Sequence, residues 1–255
     1  MAGDVQHQLL SQITTHLQTV LSINPSPSYL GALLTSLQKP NTPLAALQRT
    51  VQFRILSTSV THSLSTSNLA TLFPSDVHSS EIEERRLPGP VAVQIVGIED
   101  VGHSRMAQIE GEDERVANLG RGEKFRIVGL QEEDVQDGED EGGGVEHPQV
   151  VGGGTKQGAV GAGAKTGPHK LLLQDAAGKT CYGFETEGIA GVKIGMDMGC
   201  KLILKDVLLA RGLLLLDRGC VTMLGGKIEA LDKVWKDGWL KKLKEEIGYQ
   251  GRENM

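Results

Sequence analysis

A chain of 255 residues with 39% apolar side chains can bury a real core as one large domain or two small ones. Three cysteines and no apolar run near ~20 residues argue against a disulfide scaffold and a membrane-spanning helix. The net charge of −6 is unevenly placed, because residues 99–147 carry −10 while residues 1–98 sum to zero and residues 148–255 to +4.

Residues 1–80 are rich in Ser, Thr, Gln and Leu, with Asp4 and Asp76 the only acids. Leu9, Ile13, Leu17 and Val20 recur at helical spacing until Asn24-Pro25 stops them. Pro27-Ser28 opens a second pattern, Leu30, Leu33, Leu34 and Leu37, which ends at Lys39-Pro40. Pro43 opens a third, Leu44, Leu47, Val51 and Ile55, with Val60 and Leu64 as its continuation. The spacing predicts a three-helix domain over 1–80, too small to be secure alone and therefore packed on the domain C-terminal to it.

A charged connector at 81–86 and the stiff Leu87-Pro88-Gly89-Pro90 lead into VAVQIV, a first strand running to about Val101. Residues 104–128 keep fragments of apolar pattern. Residues 131–147 are acidic without one Lys or Arg, and a Gly/Ala-rich stretch comes next, so 131–168 reads as disordered. A fold tolerates such an insertion, since closing about 65 residues instead of five adds only ~2.3 kcal/mol.

Order returns at His169, where KLLLQD and TCYGFE flank Ala177-Gly178 as a hairpin. After a Gly-spaced connection, 188–199, Leu202–Leu204 and Leu213–Leu216 flank Arg211-Gly212 as a second hairpin. Past Gly225-Gly226, residues Ile228, Leu231, Val234, Trp235, Leu243 and Ile247 lie along one side of a helix. Five strands without βα alternation predict a mainly β fold with helices, α+β in class. Its parts are a small barrel over 88–226, an insertion at 102–169 between the first two strands, and a helix over 226–248 packed on the barrel.

The motifs give no catalytic or cofactor site. Gly161-Ala162-Gly163-Ala164-Lys165-Thr166 has Ala where a phosphate loop needs Gly, and Pro168 stands where a helix should start. His7, His16, His62, His78, His103, His147 and His169 form no HExxH pair, and there is no nucleophile elbow. Cys181, Cys200 and Cys220 lie 19 and 20 residues apart without CxxC, as buried thiols in a reducing compartment would. With no leader pattern, the sequence reads as a soluble intracellular protein without enzyme activity, cofactor, small-molecule substrate or membrane partner.

Two features point to binding. Tyr182 and Phe184, two apart on a strand, either present rings to nucleic-acid bases or pack into the barrel or under a helix. Lys170, Lys179, Lys193, Lys201, Lys205 and Arg211 add a mildly basic surface suited to weak backbone contact at most. The acidic run is a solvated spacer, a repeller of DNA, or a dock for a basic protein surface.

The succession LLLQDAAGKTCYGFE, MGCKLILKDVLLARGLLLL and VTMLGGKIEAL before a Trp-containing helix resembles the RecQ-mediated genome instability protein 1 family, over about residues 20–247. SYLGALLTSL and LQRTVQFRILSTSV resemble its helical segment more loosely. The resemblance implies a helical domain followed by a five-stranded OB-fold barrel, and a nuclear, non-catalytic subunit. Such a subunit binds topoisomerase III, joins it to a RecQ-family helicase and promotes dissolution of double Holliday junctions. It also implies that the loop between the first two strands reaches into the topoisomerase gate. Ser104, Arg105, Met106, Phe125, Ile127 and Leu130 are then the contact candidates. A chain ending here would carry only the first OB-fold of larger members. The rival reading is a single-stranded nucleic-acid-binding OB module that uses Lys170, Tyr182, Phe184, Lys201, Lys205 and Arg211.

Overall fold

The computed structural model describes residues 2–37, 42–128 and 167–249. The chain divides into two units, residues 1–105 with 166–255, and residues 106–165.

The first unit begins with helices α1 (Ala2–Leu21), α2 (Pro27–Leu37), α3 (Leu44–Leu56) and the single turn α4 (Val60–Ser63). Their apolar stripes meet in one core of Ile13, Leu17, Leu30, Leu34, Leu47, Val51 and Ile55. The expected continuation of α3 through Val60 breaks at Ser57, so Val60 and Leu64 enter the core from a separate turn. Val20 is exposed and Leu21 takes the buried position.

Eight strand segments come next: β1 (Arg85–Leu87), β2 (Val91–Asp100), β3 (His169–Asp175), β4 (Thr180–Glu185), β5 (Lys201–Leu204), β6 (Val207–Ala210), β7 (Leu213–Leu216) and β8 (Val221–Gly225). Their order in the curled sheet is β1-β6-β7-β4-β3-β2-β5-β8. β5 and β6 are halves of one strand bent at Lys205-Asp206, and Asp206 takes φ 51° there. β7 and β8 are halves of the next strand, broken at 217–220. Counted this way there are five barrel strands, and β1 is an added edge segment. Because β5 pairs with β2 while β6 continues the sheet through β7, β4 and β3 back to β2, the covalent link at 205–206 closes the ring. β4 and β7 run parallel; the other pairs are antiparallel.

The hairpin around Arg211-Gly212 is therefore β6–β7. Both turn residues have positive φ, 47° and 84°, as a primed two-residue turn requires. Leu202–Leu204 does not pair with Leu213–Leu216 but lies between β2 and β8. The long strand β2 serves two neighbours: its first half pairs with β5 and its second with β3. The register shifts between Ile95 and Gly97, a bulge that bends the strand around the barrel. Val93, Ile95, Leu171, Leu173, Leu202, Leu204, Leu214 and Leu216 fill the interior. The helix α6 (Glu229–Glu246) lies against this core through Leu231 and Trp235; Val234 and Ile247, placed on the same side by their spacing, are exposed.

The helical bundle sits on the outer face of the barrel, where Ala92, Ala176 and Ile203 join its core. The buried Gln94 side chain accepts the Val60 N–H at 3.0 Å and donates to Ser59 Oγ and Gln174 Oε1. Asp175, also buried, accepts the Phe73 N–H at 2.9 Å. Gly226, at φ +90°, passes so close to Leu56 that a Cβ would lie 2.9 Å from its carbonyl carbon. The expected docking of helical domain on barrel is thus made by two buried polar side chains and one obligatory glycine.

The described part of the second unit is helix α5 (Arg105–Val128), whose first residue belongs to the first unit. A continuous helix replaces the fragmentary pattern expected over 104–128. Residues 129–166, with nearly all of the stretch read as disordered, lie outside the described residues.

Candidate interaction surface

The root of the insertion is tightly built. The departing chain leaves β2 at Asp100 and the returning chain joins β3 at His169, its register partner. Val101 donates its N–H to the Pro168 carbonyl at 3.1 Å. Gly102 and Gly167 touch backbone to backbone, leaving no room for a Cβ on either. The Asp100 carboxylate accepts the N–H groups of Gly102 and His103 and pairs with His103 Nδ1 at 2.8 Å. Burial raises its pKa, but the His103 ring and the two N–H donors outweigh that, and the group ends below the ordinary carboxylate range. On the returning side, the buried Glu185 carboxylate lies 2.6 Å from His169 Nδ1 and accepts the His169 and Ile189 N–H groups.

Arg105 at the start of α5 closes an alternating ring of charge. It meets Glu246 at 3.0 Å and Glu99 at 3.7 Å, and Lys242 reaches Glu99 at 3.6 Å and Glu246 at 3.7 Å. Partly exposed pairs are worth ~0–1 kcal/mol each, more when networked, and this network ties the insertion root to the last turns of α6. Of the partner-contact candidates, Ser104 is exposed, Arg105 is in this ring, and Met106, the second residue of α5, is exposed. Phe125 and Ile127 fall on the α5 backbone with side chains outside the described set, as is Leu130 altogether.

The nucleic-acid candidates do not stay together. Lys170, Tyr182 and Phe184 share the outward face of β3 and β4, with Lys170 Nζ 3.9 Å from the Tyr182 ring centroid. The rings therefore face outward rather than into the barrel; Tyr182 is exposed and Phe184 half-buried. Lys205 is exposed at the β5–β6 bend, and Arg211 sits in the β6–β7 turn, 3.6 Å from Glu83. Lys201 is a correction. It alternates with Leu202 on β5, shares the side of Ile203, and is covered to 2% exposure, so it adds nothing to a basic surface. Its Nζ has no hydrogen-bond partner among the described residues, and burial pulls its pKa down to about 8.

Sequence reasoning missed a cleft of about 360 Å3 between α6 and the outer face of β2, β3 and β4. Val96, Gly97 and Leu172 lie on its strand side. Trp235 and Trp239 stack on its helix side with centroids 5.8 Å apart and planes at 22°. The signal was WKDGW, two Trp one helical turn apart just after a barrel. At its N-terminal end α6 is fixed by Asp232, buried, which accepts the Met198 N–H and meets Lys227 and Lys236. Burial raises the Asp232 pKa, and these three partners bring it below the ordinary range.

Among the described residues no cluster of three or more His, Cys, Asp or Glu could hold a metal ion, and no helix is long and apolar enough to cross a membrane. The three cysteines are buried and free, and burial raises the Cys181 thiol to about 11.

Five barrel strands with a parallel contact between the third and fifth, preceded by a helical domain and closed by a helix, define an OB-fold protein. The family model described as the RMI1 N-terminal OB-fold domain matches residues 73–239, and the chain belongs to that family. It is 29% identical to RecQ-mediated genome instability protein 1 of Schizosaccharomyces pombe over 233 residues, 90% of this chain and 92% of that one.

Proposed function

We propose that this chain is a nuclear, non-catalytic subunit that maintains genome stability by binding topoisomerase III, joining it to a RecQ-family helicase and promoting double Holliday junction dissolution. The observation that carries the reading is similarity along nearly the whole chain to a protein named for RecQ-mediated genome instability. A barrel whose insertion leaves from a root held by Asp100, Glu185 and the Arg105 ring suits a partner-binding element, because a rigid base fixes where the inserted chain starts. Mixing the purified chain with the cognate topoisomerase tests the reading. Co-elution is expected, with faster decatenation that depends on residues 104–168. Failure to co-elute would refute it.

The second reading, a single-stranded nucleic-acid-binding module, is favoured by the outward Lys170, Tyr182 and Phe184. It requires affinity for oligothymidylate that falls steeply with salt.

A further inference from the structure

The cleft beside α6 has the build of a pocket for a single aromatic side chain, and we propose that it docks a partner peptide presenting an aromatic residue beside a carboxylate. Its volume, about 360 Å3, is near the lower end of the ~300–1,000 Å3 of ligand pockets, room for one or two side chains. Trp235 and Trp239 offer stacked rings from the helix, and Tyr182 a third from the sheet. Partly exposed aromatic side chains around an apolar floor are the composition of an interface hot spot.

Gly238 is the second observation. It sits in the interior of α6 and lines the cleft, where a Cβ would meet nothing within 4 Å. Glycine costs ~1 kcal/mol in a helix interior relative to alanine, and no turn or close approach requires it here. What its missing side chain does is leave open the gap between the two tryptophans and the strands.

Charge selects the occupant. Arg105 and Lys242 are neutralised by Glu99 and Glu246 in the ring at one end of the cleft. Lys170 stands on the strand wall beside Glu99, its register partner on β2, and over the Tyr182 ring; it makes no carboxylate pair among the described residues, so the cleft carries one cation beyond those its carboxylates hold. A nucleic acid would bring a row of phosphates past Glu99 and Glu246, which repel them; a peptide with a single acid beside its aromatic residue can set that acid on Lys170, on the side away from Glu99, and carries no further charge past the two carboxylates. The surface therefore favours a peptide over a polyanion.

Both tryptophans of the chain lie in this cleft, so intrinsic emission of the full chain reports its occupancy. The probe is the blocked peptide acetyl-Ser-Asp-Phe-Ser-Ser-amide, with the same peptide carrying Ala for Phe as control. We expect a saturable emission change with Kd below roughly 1 mM and no such change with the control. Gly238→Leu, which fills the gap, and Lys170→Glu, which reverses the free charge, should each weaken binding by about tenfold or more. Thermal melting checks that both variants fold, and Lys170→Glu decides alone if Gly238→Leu does not. No saturable change, equal binding of the control peptide, or full affinity in the folded variants would overturn the proposal. So would preferential binding of a short oligothymidylate, or an emission change that tracks protein concentration alone and marks a second copy in the cleft. None of these outcomes depends on topoisomerase binding.

Discussion

Lys201→Met should make the protein more stable at pH 7. The lysine is 2% exposed, its amine has no hydrogen-bond partner among the described residues, and burial pulls its pKa from 10.5 to about 8. At about 1.4 kcal/mol per pH unit, holding the amine charged in this site costs about 3 kcal/mol relative to the unfolded chain. Proton counting gives the sign. Between pH 8 and 10.5 the unfolded chain keeps a proton that the folded one has released, so stability rises with pH across that window and the penalty is complete below it. Methionine has similar length and no charge, so the variant should gain about 1–3 kcal/mol at pH 7, the upper figure assuming unchanged packing. Urea titrations of both proteins at pH 7 and pH 10 measure this. The wild type should gain stability between the two pH values relative to the variant, and the difference should shrink toward zero at pH 10. A variant less stable than wild type by more than about 1 kcal/mol at pH 7 would refute the reasoning, because it would mean the amine is compensated.

Gly226→Ala should destabilise the fold by more than about 1 kcal/mol in urea titration, since φ +90° and the Leu56 carbonyl both oppose a Cβ. Gly238→Ala should do the reverse and raise stability by about 0.5–1 kcal/mol, seen as a Tm increase of a few degrees. Asp232→Ala should cost about 2 kcal/mol at pH 7, because the Met198 N–H and two ammonium groups lose a buried partner. The Asp232 pKa is lowered by folding, so its contribution is present above the unfolded carboxylate pKa of about 3.9 and is lost as pH falls through the folded value; wild type and variant should converge in acid melts.

The helices of the bundle were legible because each apolar stripe is bounded by proline: Asn24-Pro25, Lys39-Pro40 and Pro43. The hairpins were legible where a glycine turn lies between apolar runs, at Gly178 and Gly212. The split strands were not. Val207–Ala210 comes after a bend made by Lys205-Asp206, and a non-glycine residue at φ 51° leaves no turn signature in the sequence, so β5 and β6 merged with the Arg211-Gly212 turn into one apparent hairpin. Helix α5 escaped for the opposite reason. RMAQIEGEDERVANL is made of residues that tolerate a helix, but it is polar nearly all round and carries Gly111, so the spacing of apolar residues gives only fragments of a pattern there.

The site residues divide along the same physical line. Period two on a strand says which residues share a face, and it correctly grouped Tyr182 with Phe184. It cannot say what covers that face. Lys201 shares its side with Ile203, and that side of β5 lies under the helical bundle, an arrangement fixed by Gln94, Asp175 and Gly226 far apart in the chain. Lys170 sits on strand residues facing α6 instead, where the helix stands off across a gap that Gly238 leaves open. Two lysines on strands of one barrel thus have opposite fates: the helical domain closes tightly over one, and α6 leaves the other facing a cleft. Only the second can meet a partner, and it is the one whose substitution should alter binding rather than stability.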